Sequence, residues 1–215
     1  MPKLASDAID RRKRRVEDGA LRLFRARGYH GVGLREIADE AGVSLGNVYN
    51  YYAGKEELFQ SLLARLHAAF SAPDTPLGRY LATCRLPDDI DRLGAVVGQM
   101  VAAHADYLTL IYVDTAEFQG RHVRAFYAGL AARFRAALGP RAGQTVDGVD
   151  PVLVFTAAYM QFFNYFIVER MIGARGHLGL SDRQAVAALG AIFRRGLPAP
   201  QRGPKRAPAR ARRRS

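Results

Sequence analysis

Apolar positions recur at helical spacing along most of this 215-residue chain, and residues 34–52 carry the densest pattern. Leu34, Ile37, Ala38 and Ala41 fall at i, i+3, i+4 and i+7, the apolar stripe of one short helix. Gly42 can take the left-handed conformation that stops such a helix, and Val43 folds back on it. Ser44 is a strong N-cap for a second helix. Val48 and Tyr52 point inward from that helix, leaving Gly46, Asn47, Asn50 and Tyr51 outside. An apolar rear and an uncharged polar front suit a DNA major groove. A helical hairpin inside an ordinary bundle has the same outline.

The flanking pattern is helical as well. Residues 9–27 place Val16, Ala20, Leu23 and Phe24 on one face, behind a run of five basic residues, Arg11 to Arg15. Gly28 ends that helix and lets Tyr29 meet Phe24. Gly33 with Glu36, and Gly54 with Glu57, read as capping boxes with glycine in place of Ser or Thr. A helix over 55–70 buries Leu58, Leu62, Leu66 and Ala69, and Pro73 and Pro76 mark its end. Helices are then predicted over 87–104, 106–118, 121–138, 151–172 and 182–196. Gly120 separates the second and third of these, and Asp150-Pro151 starts the fourth as N-cap and first helical residue. No strand pattern appears. The chain therefore reads as all-α: 1–8 a disordered N-terminus, 9–54 a helix-turn-helix unit, 55–72 a connecting helix, 73–197 a larger helical domain, and 198–215 a disordered basic tail.

Charge adds one feature. The net charge is +12, but residues 1–71 contribute only +3 and residues 72–197 only +2, so the 198–215 tail carries most of the excess. Such a tail suits a polyanion or is merely solvated. The single cysteine, Cys84, excludes an intramolecular disulfide and a thiolate metal cluster. No apolar run approaches the roughly 20 residues of a membrane span, and the charged N-terminus is unlike a secretory segment, so a cytoplasmic protein with no membrane partner is expected. No nucleophile elbow, phosphate-binding glycine loop or metal motif is present, so no enzyme activity, cofactor or metal site is expected. Asp114, Glu117 and Arg121 share a helix face and read as a salt-bridged surface.

The first 60 residues resemble the TetR (tetracycline-repressor) family of bacterial transcriptional regulators. The resemblance rests on Leu23-Phe24, Gly28-Tyr29, Leu34 with Ile37-Ala38, Ala41-Gly42-Val43-Ser44, Gly46, Val48-Tyr49, Tyr51-Tyr52 and Lys55-Glu56-Glu57-Leu58-Phe59. Val32-Gly33 stands where the family has small hydroxyl residues, and Gly54 where it has Ser. The resemblance implies a helix-turn-helix domain on an all-α ligand-binding and dimerisation domain, with DNA released when a small molecule binds. It assigns DNA contacts to the positions of Leu45, Gly46, Tyr49, Tyr51 and Lys55. The residues themselves add Arg35, Ser44 with the helix N-terminus for a phosphate, and Asn47 and Asn50 for base edges. Leu45 either touches a thymine methyl or packs inward with Val48.

For an effector, Phe155, Tyr159, Phe162, Phe163 and Phe166 gather on one side of a helix that is apolar nearly all round. Ile111, Thr115, Phe118 and His122 precede them, with Thr115 and His122 as polar groups on an apolar stripe. These nine residues either line a pocket for a mostly apolar small molecule or simply fill the core. Helices 151–172 and 182–196 carry surplus apolar surface, and the second has small residues, Ala188, Gly190 and Ala191, for close approach. A four-helix homodimer interface is expected there. Two functions from different classes follow: an effector-controlled repressor on a pseudo-palindromic operator, or an architectural nucleic-acid-binding protein without an effector.

Overall fold

The computed structural model describes residues 2–86, 88–143 and 148–196. The tail over 198–215 lies outside these residues, as does Pro87. The described residues form eleven α-helices and no strand: α1 Pro2–Arg27, α2 Leu34–Ala41, α3 Leu45–Tyr49, α4 Lys55–Phe70, α5 Pro76–Thr83, α6 Ile90–Ala103, α7 Ala105–Phe118, α8 Arg124–Ala128, α9 Leu130–Leu138, α10 Pro151–Ile167 and α11 Asp182–Gly196. A 3-10 turn, Gly139–Ala142, follows α9, and a π turn, Val168–Ile172, ends α10.

Three boundaries differ from the sequence pattern. Helix α1 starts at Pro2 rather than at residue 9, because proline suits a first helical position and residues 3–8 hold no breaker. Pro76 begins a helix instead of marking a boundary, with the Thr75 hydroxyl accepting from the Gly78 amide at 3.1 Å. The predicted helix over 121–138 is two helices broken at Gly129.

The larger domain is organised by α6 lying along α10 and α11. Glycine makes this approach possible: a Cβ at Gly94 would stand 2.5 Å from Val186 of α11 and 2.8 Å from the Phe162 ring, and one at Gly98 would stand 2.7 Å from the Phe166 ring. Phe155 is buried between Tyr80 and Phe134, at ring-centroid distances of 6.4 Å and 5.0 Å. Residues Pro151–Ile172 are, by length and composition, long and apolar enough to cross a membrane, which corrects the count of uninterrupted apolar residues; half of that stretch is packed inside the molecule. Its neighbours α6 and α11 give it the place of a core helix.

Candidate functional site

The helix-turn-helix is built as its sequence dictates. Gly42 has φ +62, and the Val43 amide donates back to Ala38 O at 3.0 Å, closing α2. The Ser44 hydroxyl accepts the Asn47 amide at 3.2 Å, opening α3. Val48 and Tyr52 are buried, and the Tyr52 hydroxyl donates to Glu17 of α1 at 3.1 Å. Burial, followed by the nearby Glu17 charge, raises the Tyr52 pKa, so the phenol stays protonated as a donor. Ser61 also donates to Glu17, at 2.8 Å, and Arg65 of α4 pairs with both Glu17 and Asp18. This buried acid fixes α1, α4 and the end of α3 in one frame.

On the outer side, Arg35, Gly46, Asn50 and Tyr49 are exposed, the last by 55%. A Cβ at Gly46 would meet nothing nearer than Ser44 Oγ at 3.9 Å, so the fold itself does not demand glycine there. Asn47 is half-buried. Leu45 and Tyr51 are half-buried, each packed on one side against the core. Lys55 is redirected. Its ammonium donates to Tyr29 O at 2.9 Å and Val32 O at 2.7 Å and lies 4.2 Å from the Tyr29 ring centroid, so it secures the turn before α2 instead of reaching outward. Of the basic run, Arg15 caps α2 through Ala41 O and Lys13 lies over Tyr52, while Arg11, Arg12 and Arg14 stay exposed. The two glycine caps are half-boxes. Glu36 accepts from Gly33 N at 2.7 Å, and Glu57 reaches one residue further back, to Ala53 N at 2.6 Å.

The end of α7 joins this unit to the larger domain. Glu117 accepts from the amides of Tyr29 at 2.8 Å and His30 at 2.6 Å and contacts the His30 ring. Burial opposes its ionised form, but these bonds outweigh it and hold its pKa below the usual range. Phe118 lies against Tyr29, Phe59 and His122, at 4.6, 5.3 and 4.8 Å. The expected salt-bridged face is thus divided among three partners. Asp114 is fully buried on the His122 ring at 2.5 Å, Glu117 grips the turn after α1, and Arg121 pairs with Glu56 of α4 at 2.5 Å.

A hollow of about 670 Å³ opens between α4, α7 and the segment 122–133, with Gln60, His67, Tyr107, His122, Phe126 and Arg133 on its wall. A second, of about 180 Å³, shares Ser71, Phe126 and Arg133 with it and is walled mainly by Leu77, Leu81, Leu130, Phe134 and Tyr159. Of the nine residues expected to line a pocket, His122 reaches the first hollow and Tyr159 the second. Phe155, Phe162 and Phe166 are buried core, while Phe163 stacks on Tyr159. Ile111 is buried, Phe118 plugs the joint with the helix-turn-helix, and Thr115 is exposed with its hydroxyl spent on Ile111 O at 2.8 Å.

The model of the bacterial regulatory proteins of the tetR family matches residues 18–62, the segment that holds this helix-turn-helix. Over this segment the chain is similar to the TetR family, as its residues suggested. It is 32% identical over 97 residues to the HTH-type transcriptional repressor KstR of Mycobacterium tuberculosis, covering 45% of this chain and 42% of that protein. The chain thus spans about half the length, or less, of the curated relatives it matches. The fold likeness runs further. The structure of the putative regulator SCO4942 from Streptomyces coelicolor matches with TM-score 0.59 at 22% identity, over 87% of this chain and 98% of that one. The regulator FadR from Bacillus subtilis, solved in complex with stearoyl-CoA, matches with TM-score 0.60 at 15% identity, over 85% and 98%. The relatives are regulators, not enzymes.

Sequence reasoning missed two groups. One is the Glu17 network, which a charged residue on an apolar helix face could have flagged. The other is the hollow wall on α4, where Gln60, Ala64, His67 and Ser71 recur at i, i+4, i+7 and i+11 beside the leucine stripe. That second, small and polar stripe is legible once looked for.

Proposed function

We propose that this chain is a dimeric transcriptional regulator, a repressor, that binds a pseudo-palindromic operator and lets go when a mostly apolar small molecule enters the hollows beside α4. The observation that carries it is α3: its rear is fixed by Val48 and the Glu17 network, and its front offers Gly46, Tyr49 and Asn50 without internal partners to satisfy. Tyr49 and Asn50 read bases, Arg35 and the exposed arginines of α1 meet phosphates, and Ser44 presets the helix start.

The second copy covers the outer faces of α10 and α11. Leu153, Met160 and Ile192 are exposed by 59%, 40% and 63%, an apolar surface that a partner would bury. Gly190 is no part of this face, since its missing Cβ would stand 2.3 Å from Asp91 of α6. A twofold pair sets two α3 helices about one DNA turn, roughly 34–36 Å, apart.

The test is selection from random duplexes, followed by anisotropy titrations of selected and scrambled DNA. A selected inverted repeat bound by a dimer, with Tyr49→Ala narrowing the ratio of selected to scrambled affinity, supports the reading. Steep salt dependence with no sequence preference would overturn it in favour of an architectural protein.

A further inference from the structure

We infer that the effector is a carboxylate-bearing amphiphile, its head on Arg133 and its alkyl or aryl tail in the apolar hollow behind; this rests on the reading of these hollows as the effector site. The argument is an inventory of their walls. Among the described residues neither hollow is lined by an acidic side chain, and Arg133 is the one Lys or Arg, lining both where they adjoin. Its guanidinium is held 4.2 Å from the Phe126 ring centroid and bonded to Phe126 O, yet no carboxylate pairs with it among the described residues. A planar guanidinium fixed in this way is preorganised for two-point binding of a carboxylate.

The other polar groups nearby are uncharged and partnered within the chain. The Tyr107 hydroxyl and His67 Nδ1 are 2.7 Å apart. Burial raises the Tyr107 pKa, so the phenol keeps its proton and donates. Burial, and then the Arg133 charge, lowers the His67 pKa, so the ring is neutral at pH 7. Its proton therefore sits on Nε2, beside Ser71 at the shared wall. Gln60 lines the same side with its amide on Glu56 and His122. One permanent cation among neutral groups balances one negative charge. A phosphate monoester, with about −1.5 to −2 at pH 7, would leave excess charge in a half-closed site.

The tail space limits the chain. The apolar hollow of about 180 Å³ has leucine and phenylalanine walls and holds roughly six water-sized groups, at about 30 Å³ each. A medium chain fits.

The probes are octanoate, octanol, octanamide and octyl phosphate, titrated by calorimetry into the full chain without DNA. Octanoate should bind at least tenfold more tightly than the other three. Arg133→Gln should remove that advantage while leaving octanol unchanged, and Arg133→Lys should restore part of it. Leu81→Trp should shift the preference to shorter acids, read from the indole fluorescence that this Trp-free chain lacks. Equal binding of octanol and octanoate, tighter binding of octyl phosphate, or an advantage that survives Arg133→Gln would overturn the carboxylate assignment. If none of the probes binds, the amphiphile inference fails, whereas operator binding, measured separately by anisotropy, stands or falls by itself.

Discussion

Gly46→Ala separates what the fold needs from what a partner needs. Gly46 lies within the one-turn helix Leu45–Tyr49 and is exposed. The added methyl meets only Ser44 Oγ, at an ordinary 3.9 Å. Alanine in a helix is better than glycine by about 0.5–1 kcal/mol, largely because the unfolded chain loses freedom. For a chain of this size 1 kcal/mol corresponds to roughly 2–4 °C in Tm, so the variant should melt about 1–4 °C higher. DNA binding should move the other way. The Asn47 amide is taken by Ser44 Oγ, which leaves the amides of Leu45 and Gly46 as the free first-turn donors. A methyl at Gly46 would hold a phosphate beyond their reach. Loss of one hydrogen bond to a charged group costs about 1.5–3 kcal/mol, or roughly 10- to 150-fold in Kd. A phosphate contact is blind to sequence, so selected and scrambled duplexes should weaken alike. The assay is fluorescence anisotropy at one fixed salt concentration, paired with thermal unfolding by circular dichroism. A higher Tm with unchanged affinity for both duplexes would refute the assignment of this face to DNA. A lower Tm would refute the claim that the site has room.

Gly98→Ala should destabilise by about 1–3 kcal/mol, since its Cβ would stand 2.7 Å from the Phe166 ring in a packed core; an unchanged unfolding midpoint in urea would contradict that packing. Paired Met160→Glu and Ile192→Glu changes should give a monomer by light scattering at micromolar concentration and weaken operator binding, while a persistent dimer would place the interface elsewhere. Glu117 has a depressed folded pKa, so the stability it contributes is fully present above its unfolded value of about 4.3 and is lost as pH falls through the folded value. Unfolding free energies measured between pH 7 and pH 3 should therefore fall less steeply in Glu117→Gln than in the parent chain; equal slopes would show that this carboxylate does not hold the joint.

The helix-turn-helix was legible because its signals are local. Gly42, Ser44 and the 34/37/38/41 stripe each act within one turn of themselves, and each does in the structure what its chemistry dictates. The capping partner of Lys55 was not legible. Its ammonium finds two carbonyls 23 and 26 residues earlier, and nothing in the spacing announces that. The aromatic helix misled for a related reason. Periodicity told correctly that Phe155, Phe162 and Phe166 are buried, but burial of Phe162 against Gly94 and of Phe166 against Gly98 of α6 looks, in one dimension, the same as burial against a ligand. The decisive residues were the two glycines, which no apolar pattern marks. Thr115 failed because a threonine hydroxyl on a helix can be satisfied by the carbonyl four residues back, and here it is.

The wall of the hollow and the mounting of the helix-turn-helix are partly the same residues, and this bears on control. His122 lines the hollow, is fixed by buried Asp114 through Nδ1, and meets Gln60 of α4 through Nε2 at 3.0 Å. One imidazole thus touches Asp114 of α7 with one ring nitrogen and Gln60 of α4 with the other, across the cavity edge. Four residues before His122, Phe118 fills the space between Tyr29 and Phe59, and Glu117 holds the amides of Tyr29 and His30. An occupant that displaces His122 or Gln60 therefore presses on the two grips, α4 and the turn after α1, that orient α3. It shifts DNA affinity only as far as it binds one orientation better than the other. Ordinary allosteric couplings of about 1–3 kcal/mol require only that a few of these contacts differ between the two states. His122→Ala should accordingly leave both ligand binding and DNA binding measurable while reducing the factor by which each weakens the other. Because that coupling is reciprocal, the same reduced factor must appear whether the ligand is titrated in the presence of DNA or the DNA in the presence of ligand. An undiminished factor in both titrations would move the route of communication away from this histidine.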